Sequence, residues 1–361
     1  MKVSILKKYA SYLPVTAKTP ALSLGEGDTP LVYSPRLTEL VGCKKLYFKL
    51  EGCNPSGSFK DRGMVVAMAK AYEEGFRTVV CASTGNTSAS ASAYAAALGM
   101  KSIIIIPNGK IALGKLVQAI VYGAQIVCID GNFDQALRIV KELTQRNHIA
   151  LVNSINPYRI EGQKTAAYEI CEELGDAPDY LCLPVGNAGN ITAYWKGFQE
   201  CAQNSYAAHT PKMLGFQATG AAPIVHGHII EKPETLATAI RIGNPASWKQ
   251  AEEARDQSGG KIEMVSDDQI MNAYKLMTSA GGIFGEPASC APLAGILKLK
   301  EQGFDFNGKN IVCIVTGNGL KDPDNALKSG GSKPYIEASA DINEVEKILG
   351  LGNRQKEDDD E

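Results

Sequence analysis

The sequence predicts an α/β fold: two interleaved domains with twisted, mainly parallel sheets flanked by helices. Three observations carry that expectation. Short β-branched runs are apolar throughout, longer stretches of helical character separate them, and glycine-rich turns stand where several runs hand over to a helix. A strand covered on both faces shows no alternation, so an unbroken apolar run followed by a helix reads as a buried parallel strand. The predicted strands are 45–50, 78–82, 102–106, 125–129, 179–185, 212–217 and 310–315. Between them, helical period or high helix propensity predicts helices over 58–74, 86–98, 112–122, 133–146, 161–174, 191–203, 267–280 and 287–301. No repeat and no long flexible linker is visible, so the domains are expected to interleave. Residues 1–52 and 150–350 form the larger, 53–149 are inserted as the smaller, and 351–361 are a flexible acidic tail. A functional site is then expected in the crevice between the sheets, at the C-terminal ends of strands.

At 361 residues the chain has the length of two domains of about 150 residues each. Lys plus Arg number 37 and Asp plus Glu 39, for a net charge of −2. No basic excess exists to hold nucleic acid or an anionic membrane, so neither is an expected partner. The nine cysteines are an odd number, at least ten positions apart and mostly within apolar runs. That pattern predicts reduced, buried thiols rather than disulfides, zinc ligands or a redox pair. Met1-Lys2-Val3-Ser4 opens no apolar leader, and runs such as 103–106 are too short to span a bilayer. A cytoplasmic protein is the expectation.

Glycine is the unusual number, at 36 residues, and four clusters of it mark turns. The first runs from Gly52 through Asn54, Pro55, Ser56, Gly57, Ser58, Phe59, Lys60, Asp61 and Arg62 to Gly63. Its spacing imitates a nucleotide-binding P-loop as far as Gly57, but Ser58 stands where that loop needs lysine. Ser58 with Asp61 reads as a capping box, which puts Lys60 in the first helical turn. The positive end of the helix dipole there disfavours an ammonium ion and favours a neutral, nucleophilic amine. A lysine taken alone is far more often a solvated surface residue. The second cluster, Ser83-Thr84-Gly85-Asn86-Thr87-Ser88, gathers hydroxyls at a helix start. It serves equally as a carboxylate pocket or as an ordinary capped turn. The third, Gly186-Asn187-Ala188-Gly189-Asn190, is not the dinucleotide fingerprint, but its small residues suit a monophosphate cradle. The fourth, Thr316-Gly317-Asn318-Gly319-Leu320-Lys321-Asp322, ends a buried strand in a hydroxyl and by itself reads as a polar turn. Together they supply an amine, a carboxylate pocket, a phosphate cradle and a strand-end hydroxyl. Those are the parts that hold pyridoxal phosphate and an amino acid, with Lys60 linking to the aldehyde.

These four segments, with Gly25-Glu26-Gly27-Asp28-Thr29-Pro30 and the stretch from Asn153 through Arg159 to Gln163, closely resemble the threonine synthases, a family within the tryptophan synthase β-like (fold type II) pyridoxal-phosphate enzymes. The resemblance runs from Gly25 to Asp322 with the motifs in register. It implies that Lys60 carries the cofactor and shuttles protons, that Asn86 meets the ring hydroxyl, that Gly186, Asn187, Ala188, Gly189 and Asn190 surround the cofactor phosphate, and that Thr316 meets the pyridine nitrogen. It further implies that Ser83, Thr84 and Thr87 take the substrate carboxylate, while Ser154, Arg159 and Asn187 face the substrate phosphate. A guanidinium suits that task because it pairs with phosphate oxygens in two places at once; an ion pair with Glu161 is the alternative use of Arg159.

The implied reaction turns O-phospho-L-homoserine and water into L-threonine and phosphate, in a homodimer. A serine or threonine dehydratase of the same fold is the nearest alternative, and a non-catalytic amino-acid-binding protein the second. A nicotinamide dehydrogenase is disfavoured by the missing fingerprint. No metal is expected: His226 and His228 could share one face of a strand, but no third ligand accompanies them. Trp195 and Trp248 are expected to pack in the core.

Overall fold

The computed structural model describes residues 3–108, 113–131, 133–329 and 335–351. The predicted helix start at Ala112 and the acidic tail from residue 352 onward lie outside them. The chain divides into two compact units, Met1–Pro323 and Asp324–Glu361.

The first unit opens with α1 (Ile5–Lys8), capped by the Ser4 hydroxyl, which accepts the Leu6 N–H at 3.2 Å. Next come β1 (Leu31–Tyr33), α2 (Pro35–Val41), β2 (Lys45–Leu50), α3 (Lys60–Glu73), β3 (Thr78–Ala82) and α4 (Asn86–Ala97). They are followed by β4 (Lys101–Pro107), α5 (Leu113–Val121), β5 (Gln125–Ile129), α6 (Phe133–Arg146), β6 (Ala150–Leu151), α7 (Pro157–Gln163) and α8 (Thr165–Leu174). The remainder is β7 (Tyr180–Pro184), α9 (Gly189–Gln203), β8 (Lys212–Ala218), α10 (Pro223–His226), α11 (Trp248–Gln257), β9 (Lys261–Val265), α12 (Asp267–Gly281), α13 (Ala291–Glu301) and β10 (Asn310–Val315). A short helix, α14 (Pro323–Ser329), starts at the boundary of the units, and the second unit holds α15 (Ile342–Leu349), capped by Asp341.

Two sheets organise the first unit. One has six strands in the order β1-β2-β10-β7-β8-β9, and the other four in the order β5-β4-β3-β6. Every pairing is parallel except that of β1 with β2, an antiparallel edge that the sequence reading did not anticipate. The continuous apolarity of the runs has the expected cause: all five residues of β7 are buried, as are the last five of β10. Strand β5, at an edge, contains no fully buried residue.

Several helices differ from expectation. The helix predicted over 161–174 is two, because Lys164 separates α7 from α8. The one predicted over 287–301 opens as a 3₁₀ turn, Pro287–Cys290, before α13 begins. His226 closes α10, and Gly227, at φ +74°, caps it, so the two imidazoles stand at a helix end and not on a strand. Trp195 is buried, while Trp248 is half-buried against the same core. Six cysteines are buried, Cys53 and Cys128 are exposed and Cys43 is intermediate, all as free thiols. Among the described residues no helix is long and apolar enough to cross a membrane.

Candidate active site

Five predicted segments leave the sheets at strand C-termini. In the larger sheet β2, β10 and β7 lie side by side, and from their ends come the Lys60 loop, Thr316 and the Gly186 turn. In the smaller sheet β3 and β6 are neighbours and deliver the 83–87 turn and the segment that leads to Arg159. The C-terminal ends of parallel strands are where such sheets place ligands.

The Lys60 and Thr316 loops are stitched together. Phe59 N–H donates to the Thr316 carbonyl at 3.0 Å and Asn318 N–H to the Gly57 carbonyl at 2.9 Å, around a bridge between Ser58 and Gly317. The approach requires glycine at 52, where a Cβ would lie 2.7 Å from Asn318 N. Lys60 is the first residue of α3, as predicted. The capping box is not formed: the Ser58 hydroxyl has no partner, and Phe59 stands at the cap in helical conformation. The chain enters α3 through a tight turn, with Asp61 N–H to Ser58 O at 3.4 Å and Arg62 N–H to Phe59 O at 3.3 Å. The Asp61 carboxylate turns instead to Ser56, accepting its N–H at 2.6 Å and its hydroxyl at 2.5 Å, and to the Ser90 hydroxyl at 2.6 Å.

Lys60 retains some surface, but its amine lies 4.1 Å from the centre of the Phe59 ring, within the protein. Burial is the main cause, with the Arg159 charge next, that brings its pKa down to about 7; Glu286 acts in the opposite sense. Behind Lys60, Arg62 is wholly buried and anchors α3. Its guanidinium pairs with Glu51 at 2.7 Å and Glu169 at 2.6 Å, and Lys49 joins Glu169 at 2.8 Å.

Arg159 is 1% exposed. It gives one hydrogen bond, from Nη1 to the Val152 carbonyl at 3.1 Å, while Nε and Nη2 are buried without a partner. The alternative ion pair does not form, since Glu161 is taken by Lys164 and Lys196. Burial lowers the Arg159 pKa to about 10, a reduction that Cys81 and Asp61 oppose. A buried cation with two orphaned donors lacks an anion.

The Gly186 turn follows β7. A Cβ on Gly186 would stand 3.0 Å from the Ile240 Cα, Ala188 takes the left-handed φ of +64°, and Gly189 opens α9, where an added Cβ would come to 3.6 Å from the Ile160 side chain. Asn190 is buried with its Nδ2 unpartnered. Asn187 is partly committed elsewhere: its Oδ1 accepts the Ala246 N–H at 3.2 Å, which leaves its Nδ2 for a ligand.

Asn86 begins α4 and donates to the Glu286 carboxylate at 3.0 and 3.3 Å. The Thr316 hydroxyl, buried at the end of β10, lies 2.9 Å from that of Ser289. Ser83 accepts the Gly85 N–H at 3.2 Å, and Thr84, Thr87 and Ser154 are half-buried. Lys60, Asn86, Arg159 and Thr316 are thus linked, through Glu286 and the paired loops, by contacts and fields. Among the described residues no hydrogen bond joins the side chains of Ser83, Thr84, Thr87 or Ser154 to them. Sequence reading missed Glu286, Ser289 and the placing of Lys321, half-buried with its amine on Gln118. The only signal was a lone acid in Gly285-Glu286-Pro287, ahead of small residues.

A lysine amine at a helix start beside a glycine turn defines the class to which such a site belongs, and residues 22–317 match the family model described as pyridoxal-phosphate dependent enzyme. Over 348 residues the sequence is 58% identical to the threonine synthase of Bacillus sp. (strain ULM1), covering 96% of this chain and 97% of that one. It is 57% identical over 332 residues to the threonine synthase of Halalkalibacterium halodurans, covering 92% and 93%. Among solved structures, maize serine racemase matches with a TM-score of 0.71 at 25% identity, over 83% of this chain and 91% of that one. The chain belongs to the threonine synthases within that family.

The residues present fit the cofactor. Lys60 offers an amine that titrates near neutrality, and the 186–190 turn brings small residues and the orphaned Asn190 Nδ2 to a helix N-terminus suited to a phosphate.

Proposed function

We propose that this chain converts O-phospho-L-homoserine and water into L-threonine and inorganic phosphate, with Lys60 as its catalytic residue. The observation that carries the substrate choice is Arg159, a buried guanidinium with two unpartnered donor nitrogens close enough to depress the Lys60 amine. A substrate phosphate supplies the missing partner.

Pyridoxal phosphate, when bound, supplies an aldehyde and an electron-accepting ring that make the protons on Cα and Cβ of an amino acid removable. The chain's residues do the rest. Asn86 would meet the ring hydroxyl and Thr316 the ring nitrogen, while Gly186, Asn187, Ala188, Gly189 and Asn190 would close on the cofactor phosphate. Ser83, Thr84 and Thr87, at the start of α4, would take the substrate carboxylate, where a helix N-terminus favours an anion. Ser154, Arg159 and the Nδ2 of Asn187 would hold the substrate phosphate until it leaves from Cγ. The Lys60 amine, titrating near neutrality, would take the Cα proton and later return one. Cβ would also give up a proton as phosphate departs and Cγ would gain one; water then adds its hydroxyl at Cβ while its proton goes to the released phosphate, which balances the reaction.

The inserted small domain, 53–149, belongs to the same reading. What supports it is that β3, β4 and β5 make three of the four strands of the smaller sheet, while every strand of the larger one lies outside that span. A homodimer in the cytoplasm completes the proposal, and free thiols suit a reducing compartment.

The test is a direct assay of the purified protein. Phosphate should be released from O-phospho-L-homoserine with threonine formed, and little ketoacid should come from serine or threonine. Arg159→Ala should lower kcat/KM for the phosphorylated substrate by about 100-fold or more, as loss of a buried charged hydrogen-bond partner does. Ample ketoacid without phosphate, or full activity in Arg159→Ala, would sink the assignment.

A further inference from the structure

Glu286 is an acid set among cations. Its backbone N–H donates to the Gly317 carbonyl at 3.0 Å, and Gly285 bridges to Asn318, so the residue is fixed to the loop that carries Thr316. The side chain is 6% exposed, and a Cβ on Gly317 would strike its carboxylate. From the smaller sheet comes Asn86, whose Nδ2 reaches both carboxylate oxygens at 3.0 and 3.3 Å. Among the described residues these two are the hydrogen bonds of the Asn86 side chain.

The charges around this contact come from several elements. Lys60 on α3 is faced by Arg159 of α7 and by Glu286. Glu286 also acts on Lys321 and on Cys290, and Asp61 acts on Lys321 and Arg159. Asp61 is enclosed by three hydrogen bonds from Ser56 and Ser90. Glu286 is therefore the acid that joins the Asn86 amide to the field at Lys60.

We propose that Glu286 is a positioning residue for the reaction, its carboxylate holding the Asn86 amide in place across the crevice and setting the negative charge that faces Lys60. The inference rests on Lys60 being the cofactor lysine. Its loss would leave Asn86 free to turn away and Lys60 opposed by Arg159 alone.

The experiment compares the wild type, Glu286→Gln and Glu286→Asp, each loaded with pyridoxal phosphate. The first readout is the pH midpoint of the visible absorption band of the bound cofactor, without substrate. Removing a negative charge disfavours the protonated form, so the Gln variant should titrate about one pH unit or more below the wild type. The Asp variant keeps the charge and should stay within about 0.3 unit of it. The second readout is turnover of O-phospho-L-homoserine. Both variants should lose about tenfold or more in kcat with KM changed less than about threefold, because the held amide matters to the reacting geometry. An unmoved midpoint in Glu286→Gln overturns the proposal, as does a loss confined to KM. If the Gln variant does not fold, Glu286→Asp decides alone, and full kcat there overturns it. A wild type without a visible band and without phosphate release removes the assigned function itself, a result distinct from either.

Discussion

Lys60 shows what a single environment does to an amine. In the unfolded chain it titrates near 10.5 and in the folded protein near 7, because burial and Arg159 both oppose its charge. Between those values the unfolded state binds one proton more, so the stability of the cofactor-free protein rises with pH across that window. Lys60→Met should therefore be more stable than the cofactor-free wild type at pH 6, by about 1–2 kcal/mol after allowance for the surface it keeps. Urea melts at several pH values should show the gap closing between pH 7 and 10.5, and a gap independent of pH would refute this account of the amine. The position of Lys60 was legible, since a glycine-rich turn after an apolar strand leads into a helix. The means of holding that turn was not. A Ser and an Asp three apart fit a capping box, yet Asp61 found Ser56 and Ser90 instead, and Ser90 lies on another helix where no local pattern could reveal it.

At the level of elements, the meeting of α3 with α7 sets the distance between the amine and the guanidinium. Two glycines make it possible. A Cβ on Gly63 would fall 2.6 Å from the Arg159 carbonyl, and one on Gly162 would meet the Arg62 carbonyl still more closely. Gly162→Ala should destabilise the protein by about 2–3 kcal/mol through overpacking. Because both helices carry site residues, it should also lower kcat/KM at temperatures where the variant remains folded. Thermal melts and assays at 20 °C check the two effects, and an alanine variant with wild-type melting and activity would show that the helices can separate freely. The glycines were visible in the sequence, but both sit inside helical stretches, where a glycine reads as a weak helix former and gives no sign of the backbone opposite. For the same reason the break at Lys164 went unseen: the periodicity continues across it, and Lys164 itself keeps a helical backbone conformation.

For the molecule as a whole, the thiols give an accessible measure of how the core is closed. Cys53 and Cys128 are exposed, Cys43 is intermediate with its pKa pushed up to about 11 by burial, and the other six are buried. A thiol-specific reagent at pH 8 should label two cysteines quickly in the native protein and Cys43 slowly, with six reacting only on unfolding. Rapid labelling of four or more in the native state would contradict the packing described. The α/β class and the parallel character of both sheets were readable from apolar runs alone, because burial on both faces leaves its mark on every residue of a strand. The antiparallel β1 was not, being three residues long with none of them buried. Glu286 escaped for a different reason. Its significance comes from Asn86, 200 positions away in the chain, and neither residue carries a local signal of the other.

The stitch between the Lys60 loop and the Thr316 loop has a consequence for how this scaffold can diversify. Two backbone hydrogen bonds and a bridge make the lysine and the strand-end hydroxyl one mechanical body. Drift in either loop carries the other with it, so their spacing is inherited as a unit and resists adjustment residue by residue. The starts of α4 and α7 hang from a different sheet, and although Asn86 and Arg159 couple to the lysine and its loop, Ser83, Thr84, Thr87 and Ser154 make no hydrogen bond to either loop among the described residues. New substrate preferences on this framework are therefore to be sought at those four positions, where a side chain can change without disturbing the part that does the chemistry.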